Sequence, residues 1–259
     1  MFKLGLRTQC PRCQRNSWFS LEGVQEVLDC PKCLNTFPAA GNIDRGTWCY
    51  KTVGPFSVAN YADGAYGVLL TLDFFSEHRM HSLHTTPVLS FSATAPNKKE
   101  LEADLALFWQ ETRFGRKIDG LLFAECKTYG RFEKKDFDRM KYLAATFPGA
   151  VLVFGTLRKS LNSKEISAIS RIAKKGRKYW KAERPINPVL ILTGTELIDS
   201  DGRPYCWEEL LQKKFDHLDG LIDICDATQQ IYLNLPPWHE DWNKRWEARR
   251  KRRAAKKAR

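Results

Sequence analysis

Two sets of residues in this chain have the types and spacing for chemistry. The first is four cysteines in two pairs, Cys10-Pro11-Arg12-Cys13 and Cys30-Pro31-Lys32-Cys33, with 16 residues between them. Two residues between thiols let one tight turn present both sulfurs to one metal. Two such turns supply the four sulfurs of a tetrahedral zinc site. Arg12 and Lys32 would sit beside that doubly negative centre and offset part of its charge. Two disulfides are the competing reading of the same spacing. No apolar segment follows the basic residues Lys3 and Arg7, so no secretory signal is expected, and a reducing cytoplasm suits all eight cysteines. The other four, Cys49, Cys126, Cys206 and Cys225, stand singly and read as small core residues.

The second set is acidic. The run Leu121-Leu122-Phe123-Ala124-Glu125-Cys126-Lys127-Thr128 is apolar until Glu125 and Lys127 interrupt it. In a strand, residues i and i+2 share a face, so Glu125 and Lys127 project together and Cys126 to the other side. In the preceding run, Glu102 to Trp109, Glu102 and Asp104 also share a face. A polar turn, Arg113–Lys117, joins the two runs, and an antiparallel pairing would bring Asp104 alongside Glu125. Two carboxylates with a backbone carbonyl make a hard-oxygen Mg2+ site that keeps several waters. A lysine beside it can orient and activate a metal-bound water, while the metal stabilises charge on a scissile phosphate. Charges on an apolar strand carry a desolvation cost that a purely structural role rarely explains. The alternative is a buried salt bridge of Lys127 with Glu125 or Asp104 in an inactive protein.

The elements that must position these groups follow from periodicity. Residues 1–40 hold the cysteines, with Trp18, Phe19, Leu21, Val24, Val27 and Leu28 for short strands around the metal. Residues 41–60 read as a connector, and 61–238 as the main domain. Ala65–Phe75 has helical apolar steps, with Asp63 as N-cap. Short apolar runs at Pro87–Ala95, Glu102–Trp109, Gly120–Thr128, Ala150–Leu157 and Pro188–Thr193 read as strands. Glu133–Phe147 and Ser163–Glu183 read as helices between the later strands. The order α-β-β-β-α-β-α-β describes an α/β core, a mixed sheet flanked by helices. A helical piece at Trp207–Phe215 and an irregular Leu235–Trp238 segment precede residues 239–259.

The paired knuckles resemble a zinc ribbon, with Gln14 and Leu34 where glycine often follows the second cysteine of each knuckle. The arrangement Asp104 … Glu125-x-Lys127 on consecutive strands, followed by a helix and another apolar strand, resembles the PD-(D/E)xK, restriction-endonuclease-like nucleases over about residues 60–200. That resemblance implies an α-β-β-β-α-β core and hydrolysis of phosphodiester bonds, DNA above all, by a water activated at Mg2+ or Mn2+. It makes Asp104, Glu125 and the Cys126 carbonyl metal ligands, with Glu102 a further candidate, and Lys127 the catalytic lysine. Ala103 replaces the name-giving proline. Some branches add a first-helix acid, for which Glu77 and Asp73 are candidates. Another branch has Gln-x-x-x-Tyr, of which Asp138–Tyr142 keeps only the tyrosine. The resemblance also implies a place in prokaryotic restriction, antiviral defence or repair, with a protein partner. The alternative is a catalytically inactive subunit that binds nucleic acid in a larger complex.

Charge bears on partners. The chain has 259 residues, enough for one or two domains, and a net charge of +12. From Lys244 to Arg259 ten basic residues face only Glu247, so this stretch holds +9 and the body +3. It lacks an apolar stripe and reads as an exposed, frayed or induced helix that grips phosphates. A solubilising tail or targeting signal is the plainer reading. No apolar run reaches the roughly 20 residues of a membrane span. With 15 Phe, 8 Trp and 8 Tyr a sizeable core can form. His78, His81 and His84 read as solvated. The basic helix around Lys174–Lys181 mixes cations with Trp180, either as a strand-binding surface or as a solvated face with core aromatics.

Overall fold

The computed structural model describes residues 2–52, 64–76, 79–80, 83–95, 100–113, 116–181, 184–198, 206–218 and 220–257. The chain divides into two compact units, Met1–Asp63 and Gly64–Arg259.

In the first unit, β1 (Phe2–Gln9) pairs antiparallel with β2 (Asn16–Ser20), and β3 (Val27–Asp29) with β4 (Thr36–Pro38). Each pair of strands is joined by one Cys-x-x-Cys turn. A further strand, β5 (Thr47–Thr52), pairs with the other edge of β1, giving the order β2-β1-β5. The reading of 41–60 as a connector therefore fails at Thr47–Thr52. Trp48 and Tyr50 are exposed on that strand, so it lacks the buried alternation that marks a strand in sequence. Gly5 lets β1 run beneath the Trp18 ring, which a Cβ there would strike.

The two knuckles are built alike. Gln14 N–H donates to Cys10 O at 2.9 Å, and Leu34 N–H to Cys30 O at 2.8 Å. Gln14 and Leu34 both lie in the left-handed region, at φ 58°, the conformation for which glycine is favoured. The left-handed conformation costs an L-residue about 1–2 kcal/mol, and Leu34 is 83% exposed, with little packing to lose. Leu34→Gly should stabilise the metal-loaded first unit by about 1 kcal/mol. A lower denaturation midpoint in Leu34→Gly would contradict this.

The second unit opens with α1 (Ala65–Phe74), behind Gly64 at φ 94°. The proposed cap, Asp63, lies outside the described residues. A five-stranded sheet follows, built from β6 (Leu83–Thr94), β7 (Glu100–Arg113), β8 (Arg116–Lys127), β9 (Val151–Thr156) and β12 (Val189–Leu192), in the order β12-β9-β8-β7-β6. β6, β7 and β8 form an antiparallel meander, while β9 and β12 run parallel to β8. The fold is α/β with a mixed sheet flanked by helices, as the element order requires. Parallel strands are covered on both faces, and β9 and β12 are buried along their whole length, β12 with apolar residues throughout and β9 as far as Phe154.

One face of the sheet carries α2 (Lys134–Thr146) and α3 (Ser163–Gly176), through Phe137, Met140, Leu143, Ile169 and Ile172. Burying each such side chain stabilises the unit by about 1.5–3 kcal/mol. α3 stops at Gly176, short of the expected Glu183. A small hairpin follows it, β10 (Trp180–Lys181) with β11 (Arg184–Pro185). The other face carries α1, α4 (Gly194–Ile198) and α6 (Leu221–Leu233), after the short α5 (Glu209–Phe215). The last helix, α7 (Trp238–Lys257), is not exposed from its start. Trp238 is buried, Trp242 stacks on Trp180 at 5.8 Å, and Arg177 pairs with Asp241 at 2.9 Å. Arg245 donates to the carbonyls of Arg177 and Lys178. These contacts anchor the first two turns of α7; of the stretch expected to be exposed, Lys244–Arg259, only Arg245 joins them, while Lys244, Trp246–Ala248, Arg250 and Lys251 are exposed, as expected.

Candidate active site and metal centre

In the first unit the four cysteine sulfurs converge. Cys10 and Cys33 Sγ are 3.7 Å apart, as are Cys13 and Cys30, and all four lie within 4.8 Å of one another. A disulfide requires about 2.05 Å, and all eight cysteines are free. A tetrahedron of thiolates at about 2.3 Å from zinc has edges of about 3.8 Å. The donor set and its spacing therefore fit a structural metal such as zinc. Among the described residues this is the only group of three or more His, Cys, Asp or Glu side chains gathered so closely.

In the second unit, Asp104, Glu125 and Lys127 come together. The β7–β8 ladder pairs Arg113 with Arg116 and continues to Leu105 opposite Ala124, where it ends. The next step places Asp104 opposite Glu125. There the Cys126 N–H donates to Asp104 Oδ2 at 2.7 Å, so a side chain replaces the missing backbone acceptor. A strand residue's N–H and C=O point to the same edge, so the Cys126 carbonyl also faces the Asp104 side.

The β6–β7 ladder breaks at the same level. It pairs Leu89 with Leu105 and Phe91 with Ala103, skipping Ser90 and Asp104, and Ser90 takes φ 52°. A left-handed serine within a strand is strained, and such strain concentrates at functional sites. Side-chain alternation slips here too. Ala103 and Ala106 both pack toward α2 and α3, while Leu105 packs on the opposite face. The strict period of two that put Glu102 and Asp104 on one face does not run through this kink.

Glu125 is 1% exposed and held by two cations. Lys127 Nζ lies 2.8 Å from its Oε1, and Arg139 Nη1 lies 3.0 Å from its Oε2. Arg139 also reaches Glu102 at 3.4 Å, which ties Glu102 to the rim through that guanidinium. Lys127 Nζ lies 3.2 Å from Asp136 Oδ2, and Asp136 is fully buried. Asp136 Oδ1 has no hydrogen-bond partner among the described residues. The cluster thus sets three carboxylates, the buried Glu125 and Asp136 and the half-buried Asp104, against two half-buried cations, Lys127 and Arg139.

The electrostatics follow. Burial raises the Glu125 carboxyl to about 7, the nearby Asp104 charge adds to this, and Lys127 partly offsets it. For Lys127, burial works downward, but the hydrogen bond and charge of Glu125 and the charge of Asp136 outweigh it, and its pKa rises. Lys127 therefore stays protonated at neutral pH. Asp136 is lowered: burial opposes ionisation, and the Glu133 N–H, the Glu125 carboxyl and Lys127 overcome it.

Because the folded Glu125 titrates near 7, above its ordinary 4.5, the folded state holds the extra proton between those values. That contribution to stability is lost as pH rises from about 4.5 to about 7. Glu125→Gln should flatten this slope, read as urea midpoints at about pH 5 and about pH 7.5. An equal fall in both proteins would rule the assignment out.

Asp136 and Arg139 were not singled out from the sequence. Asp136 shares the helical face of Met140 and Leu143 at i+4 and i+7, which marks it as inward-facing. Cys126 points away from the site onto α1, with Thr71 Oγ1 3.5 Å from its sulfur. Burial pushes its thiol up to about 12, so it is an inert core group. Gly67 lets α1 close on the end of β8, where a Cβ would sit 3.2 Å from the Lys127 backbone. Asp73 is paired with Arg79 at 3.0 Å. His84 is exposed on β6, and Glu77, His78 and His81 lie outside the described residues. No protein-family model, curated protein or solved structure matches the chain.

Proposed function

We propose that the chain is a metal-dependent nuclease with a restriction-endonuclease-like core, a zinc ribbon at its N-terminus and DNA as its main substrate. The observation that carries this reading is the junction of β7 and β8. The β7–β8 ladder ends and the β6–β7 ladder is interrupted at Asp104, which is bonded to the Cys126 amide and lies beside a buried Glu125-x-Lys127. The excess of carboxylates over cations is what a divalent cation would balance. Asp104, Glu125 and the Cys126 carbonyl would hold Mg2+ or Mn2+, with Glu102 at the rim.

The metal would supply Lewis-acid stabilisation of charge on the phosphate. The chain's own residues do the rest. Lys127, protonated and clamped between Glu125 and Asp136, orients a water and donates to a developing phosphate oxygen. It does not act as the proton acceptor. Asp136 fixes the Lys127 ammonium from below. Arg139 offsets part of the Glu125 charge at Oε2 and would hold that carboxylate in place for a metal. The distal turns of α7 hold the phosphate backbone at a distance from the chemistry. A place in restriction, antiviral defence or repair beside a protein partner rests on the family resemblance alone.

A second reading has one observation in its favour. Both Glu125 oxygens already carry a cation from the protein, as they would in an inactive binding subunit. A cleavage panel of linear, circular and single-stranded DNA and of RNA, with Mg2+ and with Mn2+, separates the two. Salt-sensitive binding with no turnover on any substrate would refute the nuclease.

A further inference from the structure

We infer that the groove between α2 and α3 is a binding track for single-stranded nucleic acid. Three cavities lie along it, each sharing lining residues with the next. One of about 830 Å3 lies at the loops following β8, β9 and β12. A second, of about 620 Å3, shares Arg131 and Asn162 with it and lies between the first turns of the two helices. A third, of about 210 Å3, shares Lys141 with the second.

The walls are cationic by design of the helical repeat. On α3, Lys164, Arg171 and Lys175 stand at i, i+7 and i+11, a single stripe. At 1.5 Å per residue it is about 16 Å long, long enough to follow several nucleotides. Arg131 and Lys159 extend it toward the end of β8. These five side chains are exposed, and none has a carboxylate within salt-bridge distance among the described residues. The acids in the groove are already committed. Asp138 pairs with Lys134 and Lys141, and Glu165 is buried against Arg158 and the Phe132 and Asn162 amides. Such a row repels itself unless a polyanion lies along it.

Two tyrosines say which polyanion. Tyr129 lines the first cavity and Tyr179 the third, 52% and 63% exposed. Exposed rings amid cations stack on bases whose faces are open, which a duplex does not offer. None of these lining residues belongs to the carboxylate site, and binding here stands or falls apart from cleavage.

The test is fluorescence anisotropy on the full chain in EDTA, with labelled oligo-dT, oligo-rU and a duplex of equal length, across a salt series. Replacing Lys159, Lys164, Arg171 and Lys175 together by Gln should weaken single-strand binding at least about tenfold and reduce the log–log salt slope by about 3, since each phosphate contact contributes about 0.7. Tyr179→Ala and Tyr129→Ala should each cost about tenfold on single strands and leave the duplex unchanged. The strand with the larger loss, dT or rU, identifies the sugar. Unchanged affinity and slope in the quadruple variant, or a duplex that binds tighter and loses as much, overturns the track. A wild type that binds but never cuts with Mg2+ leaves the track standing and removes the nuclease. One that cuts while the groove variants bind normally does the reverse.

Discussion

Lys127→Ala is expected to lose about three orders of magnitude in cleavage rate while its affinity for nucleic acid stays within a few-fold of wild type. Removing one preorganised donor from a site that stabilises developing charge costs about 10²–10³ in rate. Lys127 also holds Glu125 and Asp136 in register, at 2.8 and 3.2 Å. Its loss leaves Asp136 without its cation and Glu125 with Arg139 alone, a penalty of up to about 3–5 kcal/mol on folding. A dead but misfolded variant would teach nothing, so Asp104→Asn is its companion. Asparagine keeps an oxygen for the Cys126 N–H and removes only the charge that would hold a metal. Both proteins should melt cooperatively, bind substrate and fail to cut. Cleavage by Asp104→Asn at the wild-type rate would remove Asp104 from the site.

The second large effect is on folding. One zinc per chain should co-purify, and stripping it with a chelator should unfold Met1–Asp63. The unit has few fully buried residues around the sulfurs, chiefly Leu28, Phe37 and Ala39 with the cysteines themselves. Domains this small rarely bury enough apolar surface to fold alone. Zinc binding to such thiolate sites contributes about 10–16 kcal/mol, far above what that core supplies. Cys13→Ser or Cys30→Ser should behave like the chelated protein. The reporter is Trp18, whose Nε1 donates to the Cys49 carbonyl across the small sheet. If its emission and the strand signal survive complete zinc removal, the metal is not what organises this unit.

What was legible in the sequence was what local periodicity and fixed spacing encode. The five strands of the large sheet, the helices between them and the converging cysteines all follow from such patterns. So does the pairing of Glu125 with Lys127, which needs only a period of two. What escaped depends on distant partners. α6 was missed because its inward face carries Thr228 and Gln229, both buried. They are satisfied by the Ile191 amide and the Val189 carbonyl of β12. Polar residues on a core-facing stripe erase the pattern that marks a helix, and their partners lie about forty residues away in the chain. Arg139 looks like a solvated residue until α2 is laid across β8. The kink at Ser90 and Asp104 carries no local signal either, since no glycine or proline marks it.

The sheet also has two halves with different prospects during folding. In the meander, β7 and β8 join by a hairpin whose innermost pair, Arg113 and Arg116, is three residues apart. The parallel half must close larger loops, from Leu122 to Val151 and from Leu152 to Val189. Contacts of low sequence separation carry less closure entropy and form sooner. Asp104, Glu125 and Lys127 all lie on the quick half. Asp136 and Arg139 arrive with the crossover helix that leads into the slow half. If the halves form in that order, the acids meet before their second cation is in place, and Mg2+ present during refolding should raise the early rate in stopped-flow tryptophan fluorescence, while an unchanged rate would count against the order.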